Sequence, residues 1–161
     1  MIEVRRAGVA DAAELARLRG VMLADMDGAA PEPGRWSEIA ATTLRERLAD
    51  PLDSLAAFVV DRNAPPGGLA ACAIGVIERS LGGPENPSGD VGYVFNVATD
   101  RDHRRRGCSR ACMVAMLGWY RQRGVVRVEL RASRDGEPLY RALGFAPTHP
   151  VTMRLVLPAP L

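Results

Sequence analysis

The chain has 161 residues, of which 47% are apolar and 25% charged, and its net charge is +2. That length holds one domain of ordinary size, and that balance excludes intrinsic disorder. The near-neutral charge excludes a global attraction to nucleic acid, and the lack of any run of about 18 apolar residues excludes an ordinary transmembrane helix.

In chain order, residues 2–6 alternate as a short strand. Gly8 caps a helix whose first turn carries Asp11 and Glu14 near the positive dipole end. Its apolar face is predicted as Ala12, Leu15, Leu18, Met22 and Met26. Asp27-Gly28 and the Pro/Gly cluster at 31–34 break the chain. A second helix is predicted over 36–49, with Ile39, Leu44 and Leu48 on its apolar side. Residues 55–61 read as a strand, 63–68 as a turn, and 69–79 as a longer strand interrupted by Gly75. A loop at 80–90 leads to a β-branched and aromatic strand at 91–99. Charged, irregular chain follows over 100–106. Gly107 opens a helix to about Gly124, with Cys108, Ala111, Cys112, Ala115 and Trp119 on one face. Residues 125–132 alternate as a strand. Residues 135–143 form a short helix stopped by Gly144, and 145–156 an extended segment with a strand after Pro150. Strands mixed with helices imply an α/β or α+β architecture.

All 21 basic residues are arginine, so an isolated arginine carries little information and only clusters count. Cys72, Cys108 and Cys112 are odd in number and lack metal-ligand spacing. A reducing compartment without disulfides or metal is expected. The N-terminal stretch turns charged at once and has no apolar signal-peptide core. A cytoplasmic protein without membrane contacts is therefore expected.

The informative cluster lies at 91–110, where an apolar strand runs into a turn that opens a helix. Between residues 101 and 110, Arg101, Arg104, Arg105, Arg106 and Arg110 stand against Asp102 alone in charge. A first helical turn offers free N–H groups and a positive dipole end, and Gly107 lets a ligand approach the main chain. These parts suit a phosphate. On composition alone a solvated charged loop or a nucleic-acid patch fits as well, but the interleaved aromatics of a nucleic-acid surface are missing. A nucleotide P-loop needs a lysine, and a dinucleotide fold needs Gly-x-Gly-x-x-Gly; both are absent.

Arg104-x-x-Gly107-x-Ser109 resembles the Q/R-x-x-G-x-G/A element of the GNAT superfamily of N-acetyltransferases. In that family the loop holds the pyrophosphate of acetyl-coenzyme A (acetyl-CoA). Residues 136–145, Gly-Glu-Pro-Leu-Tyr-Arg-Ala-Leu-Gly-Phe, are similar to its Leu-Tyr-x-x-Leu-Gly-Phe signature. Weaker likeness extends upstream, through Arg5-Arg6-Ala7, Asp11 and residues 15–19. Ser109 departs from the family, which prefers glycine or alanine there; its hydroxyl adds a donor.

The resemblance implies one domain over 1–161, a twisted, mixed, mostly antiparallel sheet flanked by helices, and acetyl-CoA as cofactor. It implies coenzyme contacts from Val97, Ala98, Thr99, Arg104, Arg105, Arg106, Gly107, Cys108, Ser109, Arg110, Ser133 and Tyr140. The strand at 91–99 is expected to splay from that at 125–132, admitting the pantetheine arm. The Val97 N–H is then the oxyanion donor and Tyr140 the general acid beside the sulfur. Trp36, Asp25 and Tyr93, with Glu38, are expected to wall the site of a small-molecule or peptide amine. Some members place a glutamate base where this chain has Tyr93; Glu78 or Glu129 acting through water are the alternatives, and no base is assigned. His103, Cys108 and Cys112 are read as packing or solvent residues rather than chemical groups. A homodimer is implied by the family alone. A longer acyl donor and a non-catalytic acyl-CoA sensor are the competing readings.

Overall fold

The computed structural model describes residues 1–149 and 151–160. Its elements are β1 (Arg5–Arg6), α1 (Ala12–Asp27), α2 (Arg35–Ala49), β2 (Leu55–Asp61), β3 (Leu69–Arg79), β4 (Asp90–Thr99), α3 (Cys108–Gln122), β5 (Val128–Leu130) and α4 (Glu137–Ala142). Short 3₁₀ turns at Val9–Asp11 and Arg101–His103 precede α1 and α3. By packing the chain divides into two units, Met1–Arg131 and Ala132–Leu161. Among the described residues no helix is long and apolar enough to cross a membrane.

The sheet has the order β1-β2-β3-β4-β5. Its first three pairings are antiparallel and the β4–β5 pairing is parallel. The mixed, mostly antiparallel sheet with flanking helices is therefore present, as an α+β fold. On one face Leu15 and Leu18 of α1 and Ala41 and Leu44 of α2 form a core with Val59, Cys72 and Ile74. Gly75 alternates with Ile74 and so points to the other face, where α3 lies. A Cβ at Gly75 or Gly92 would come within 2.3 or 2.7 Å of Tyr120. These two glycines thus leave the space that lets α3 settle on the sheet, and Tyr120 Oη donates to the Val76 carbonyl at 3.0 Å.

A part-buried ion-pair clamp ties α1 to the end of β4. Arg17 donates to both Asp100 oxygens at 2.9 Å and to the Leu69 carbonyl at 2.9 Å. Arg62 also pairs with Asp100, which is only 6% exposed. Burial pushes the Asp100 carboxyl up, but the hydrogen bonds from Arg17 and Arg62 outweigh it and hold it below the usual carboxylate range.

Several expectations shift. The first strand shortens to Arg5–Arg6. On α2 the buried face is Ala41 and Leu44, while Ile39 is 54% exposed; on α1 Met26 is 51% exposed. The strand expected over 125–132 contracts to Val128–Leu130, because the Val125 N–H closes the end of α3 on the Tyr120 carbonyl instead of joining the sheet. The strand expected after Pro150 is not formed: Pro150 lies outside the described residues, and 151–156 are exposed and belong to no strand. Alternation of apolar residues there has no sheet neighbour to act on.

Candidate functional site

The site begins with a register defect. Ile74 pairs with Asn96 and Gly75 with Val94, so Phe95 of β4 has no partner in β3. This is a β-bulge, which bends a strand and re-aims the groups beyond it. β5 pairs with Gly92, Tyr93 and Val94 only. From Phe95 to Thr99 the outer edge of β4 is open, so the expected splay is present.

Which main-chain groups face that opening follows from strand alternation. The Asp100 N–H donates to the Ala70 carbonyl at 2.9 Å. Ala98, two residues earlier and opposite Cys72, therefore turns its peptide groups into β3. Val97 and Thr99 turn theirs outward. The Thr99 carbonyl accepts Arg104 Nε at 3.2 Å. The Val97 N–H and carbonyl look onto the open edge.

The chain then turns sharply into α3. Arg105 and Gly107 both sit in the left-handed region, at φ 62° and 84°. For arginine that conformation stores strain, and such turns present successive N–H groups to an anion. α3 starts without a side-chain cap, which leaves its first N–H groups free. Thr99 Oγ1 and Ser109 Oγ are 2.6 Å apart. Two hydroxyls sharing one hydrogen bond keep a second proton free to donate. Arg105, Arg106 and Arg110 are exposed and, among the described residues, form no ion pair.

Arg104 is engaged differently. Its Nη2 contacts both oxygens of Asp25, at 2.9 and 2.8 Å, near the end of α1. Asp25, Arg104, Thr99 and Ser109 thus form one connected chain of contacts. Asp25, Trp36 and Glu38 line a cavity of about 1110 Å³ between α1 and α2, which Arg104 also borders. Trp36 is held by its Nε1, which donates to the Glu32 carbonyl at 2.9 Å. Tyr93 lies outside this lining. Its ring stacks with Phe95, centroids 6.4 Å apart, against the α1–α2 core.

Within the second unit, Ser133 Oγ accepts the Gly136 N–H at 3.1 Å, at the entry to α4. Tyr140 on α4 is 9% exposed and packs edge-on against Phe145. Burial pushes its phenol pKa up, so the proton stays on Oη at neutral pH. Cys108 and Cys112 are buried, and burial raises the Cys112 thiol above its ordinary value, while Cys72 is pushed up to about 12. Cys72 and Cys112 are therefore protonated packing residues. His103 Nδ1 is paired with Asp102, whose carboxyl that contact and Arg62 pull down to about 2.

Sequence reading missed three features. The bulge at Phe95 has no residue signature. Arg45 and Glu32 also line the cavity; for Arg45 a signal existed, since it stands seven residues after Glu38 on one helical face. The cross-strand neighbour of Tyr93 is Glu129 on β5, which only a register reveals.

A strand opened by a bulge runs here into a strained arginine-rich turn at a helix start, an arrangement suited to an anionic ligand lying along an open strand edge. Residues 23–145 match the model of the Acetyltransferase (GNAT) family, and the chain belongs to that family. No curated protein sequence matches it. Solved structures share the fold. A predicted acetyltransferase from Clostridium acetobutylicum, determined with acetyl-CoA, is 22% identical with a TM-score of 0.82 over 96% of both chains. A GCN5-related N-acetyltransferase from Ralstonia eutropha JMP134 is 24% identical, TM-score 0.77, over 96% of this chain and 99% of that one. Glucosamine-6-phosphate N-acetyltransferase from Arabidopsis thaliana is 14% identical, TM-score 0.71, over 96% and 98%.

Proposed function

We propose that this protein is an acetyl-CoA-dependent N-acetyltransferase that acts by direct attack of an acceptor amine. The observation that carries the reading is the open edge of β4 at Val97 and Thr99, running directly into the arginine turn before α3. The residues present fit acetyl-CoA. An amide-bearing arm finds outward main-chain groups at Val97 and Thr99, and a diphosphate finds free N–H groups and the unpaired guanidiniums of Arg105, Arg106 and Arg110. The binding of acetyl-CoA by the Clostridium relative supports the same cofactor here.

Acetyl-CoA supplies, when bound, an acetyl group activated as a thioester. Arg105, Arg106, Arg110 and the N–H groups of Gly107, Cys108 and Ser109 would hold the diphosphate, with the Ser109 hydroxyl as a further donor. Ala98 serves as the spacer that turns Val97 and Thr99 outward. The Val97 N–H would serve as the donor to negative charge on the thioester oxygen. Tyr140 keeps its proton at Oη and would be the group to supply it to a leaving thiolate. Ser133 shapes the entry to α4, which carries Tyr140.

Asp25, Trp36 and Glu38 wall the acceptor side. Tyr93 borders the reacting edge of β4 and offers no carboxylate. Glu129, its cross-strand partner, is exposed and stands one pair before β4 and β5 part. It takes, through water, the proton that a charged amine must lose.

The test is thiol release from acetyl-CoA on adding a panel of amines. Amine-dependent release supports the reading. Binding of acetyl-CoA without release across the panel contradicts it and favours the sensor.

A further inference from the structure

The chain carries two halves of a strand pairing that it does not complete. One half is the segment 151–157, Val-Thr-Met-Arg-Leu-Val-Leu, in which apolar and polar side chains alternate from Val151 to Leu155 and which Pro158 ends. Val151, Met153, Leu155, Val156 and Leu157 are 74–92% exposed. So many large apolar side chains in one short run mark an interaction surface. Among the described residues the segment belongs to no strand and makes no backbone hydrogen bond. The other half is β5. It ends the sheet order and pairs with β4 alone, so its second edge presents unpaired main-chain groups. The Gly92 N–H donates to the Arg127 carbonyl at 2.9 Å and extends that ladder. Val126, 72% exposed, therefore alternates onto the same face as Val128 and Leu130, with Arg127 and Glu129 on the opposite face.

We propose that residues 151–157 of one copy add as a strand to the free edge of β5 in a second copy, and that the exchange is reciprocal and gives a two-fold dimer. The occupant is a second copy because each chain holds one unpaired segment and one unpaired edge and does not pair them with each other. Two copies satisfy both at once, whereas an unrelated peptide satisfies the edge alone. An antiparallel register sets Met153 opposite Leu130, Leu155 opposite Val128 and Leu157 opposite Val126, so apolar side chains meet on one face. On the other face Arg154 falls opposite Glu129, and no like charges meet. A slip of one residue would turn Arg154 onto the apolar face. Val151, Met153, Leu155 and Leu157 from each copy, at about 60–120 Å² per side chain, and the surfaces that cover them bury on the order of 1,000–1,900 Å², which overlaps the range of stable specific interfaces.

The experiment mixes two single variants of the full chain, Glu129→Cys and Arg154→Cys, and oxidises them mildly. Cys72, Cys108 and Cys112 are buried and do not compete. The expected result is a covalent dimer in the mixture and in neither variant alone, because only an exchanged strand brings position 129 of one chain within disulfide reach of position 154 of another. Light scattering on the native chain is expected to give twice the mass of one chain. Leu155→Asp is expected to raise the dimer dissociation constant at least about tenfold while the far-ultraviolet circular dichroism stays native. A native chain that is monomeric at high micromolar concentration overturns the proposal. So does a dimer whose mixed variants form no cross-link, or one in which Glu129→Cys or Arg154→Cys cross-links on its own, since the copies then meet through a different surface.

Discussion

Asp25 and Arg104, 79 residues apart in the chain, are joined by a two-oxygen ion pair at 2.8 and 2.9 Å. The pair fastens the last turns of α1 to the turn that leads into α3. Arg104 spans further, because its Nε also holds the Thr99 carbonyl at the end of β4. The wall of the α1–α2 cavity and the arginine turn are thereby coupled through one guanidinium.

That coupling predicts a competition. A diphosphate seated on the turn has to share Arg104 with Asp25. Asp25→Asn removes the competitor and is expected to tighten coenzyme A binding about 1.4- to 5-fold, matching an exposed pair worth roughly 0.2–1 kcal/mol. Calorimetric Kd values for the two chains check this; weaker binding in the variant would show that Arg104 acts only as a strut held by Asp25.

Tyr140 is expected to matter for turnover rather than binding. Its raised phenol pKa makes it a weaker acid but keeps it protonated. Tyr140→Phe should lower kcat about 100-fold, the low end for a general acid, and change the coenzyme Kd little. An unchanged kcat would reduce the ring to its packing against Phe145.

Glu129 gives a pH signature. Without it the acceptor amine must lose its proton to solvent, which is easier at higher pH. Glu129→Gln should lower kcat/KM about 100-fold near neutral pH and move the optimum upward, with coenzyme affinity intact. A parallel drop at every pH would rule out the proton-taking role.

Acid should loosen the clamp at Asp100. Its pKa is lower in the folded chain than in the unfolded one. The stability it contributes is therefore complete above the ordinary carboxylate value of about 3.9 and is lost as the pH falls through the depressed folded value. Asp100→Asn should cost about 1.5–3 kcal/mol at neutral pH, because Arg17 and Arg62 lose a charged acceptor. Denaturant midpoints measured downward from pH 7 should begin to converge for the two chains once the pH falls below about 3.9.

Much of this was legible from residue order. The strands at 55–61 and 69–79 emerge with the expected bounds, because runs of buried apolar residues ended by Asp, Pro and Gly leave little choice. The arginine turn and its helix start were readable because Gly107 and the charge cluster are local features. The bulge at Phe95, the Glu129–Tyr93 pairing and the Asp25–Arg104 bridge were not, since each depends on register or on packing between distant segments. Ile39 misled for a related reason: α2 is buried on the Ala41–Leu44 side, and an exposed isoleucine is indistinguishable in a short periodic window. The alternation at 125–132 and 151–156 promised strand that only a neighbouring edge can realise.

The central claim is that the turn at 104–110 grips a diphosphate while the edge of β4 receives its amide arm. Side-by-side calorimetry with coenzyme A and pantetheine, which lacks the diphosphate, tests it most directly. The account predicts one coenzyme A per chain, bound at least about tenfold more tightly than pantetheine, with the difference shrinking when Arg105, Arg106 and Arg110 are all changed to glutamine. No heat with saturating coenzyme A, or equal affinity for the two compounds, would contradict it.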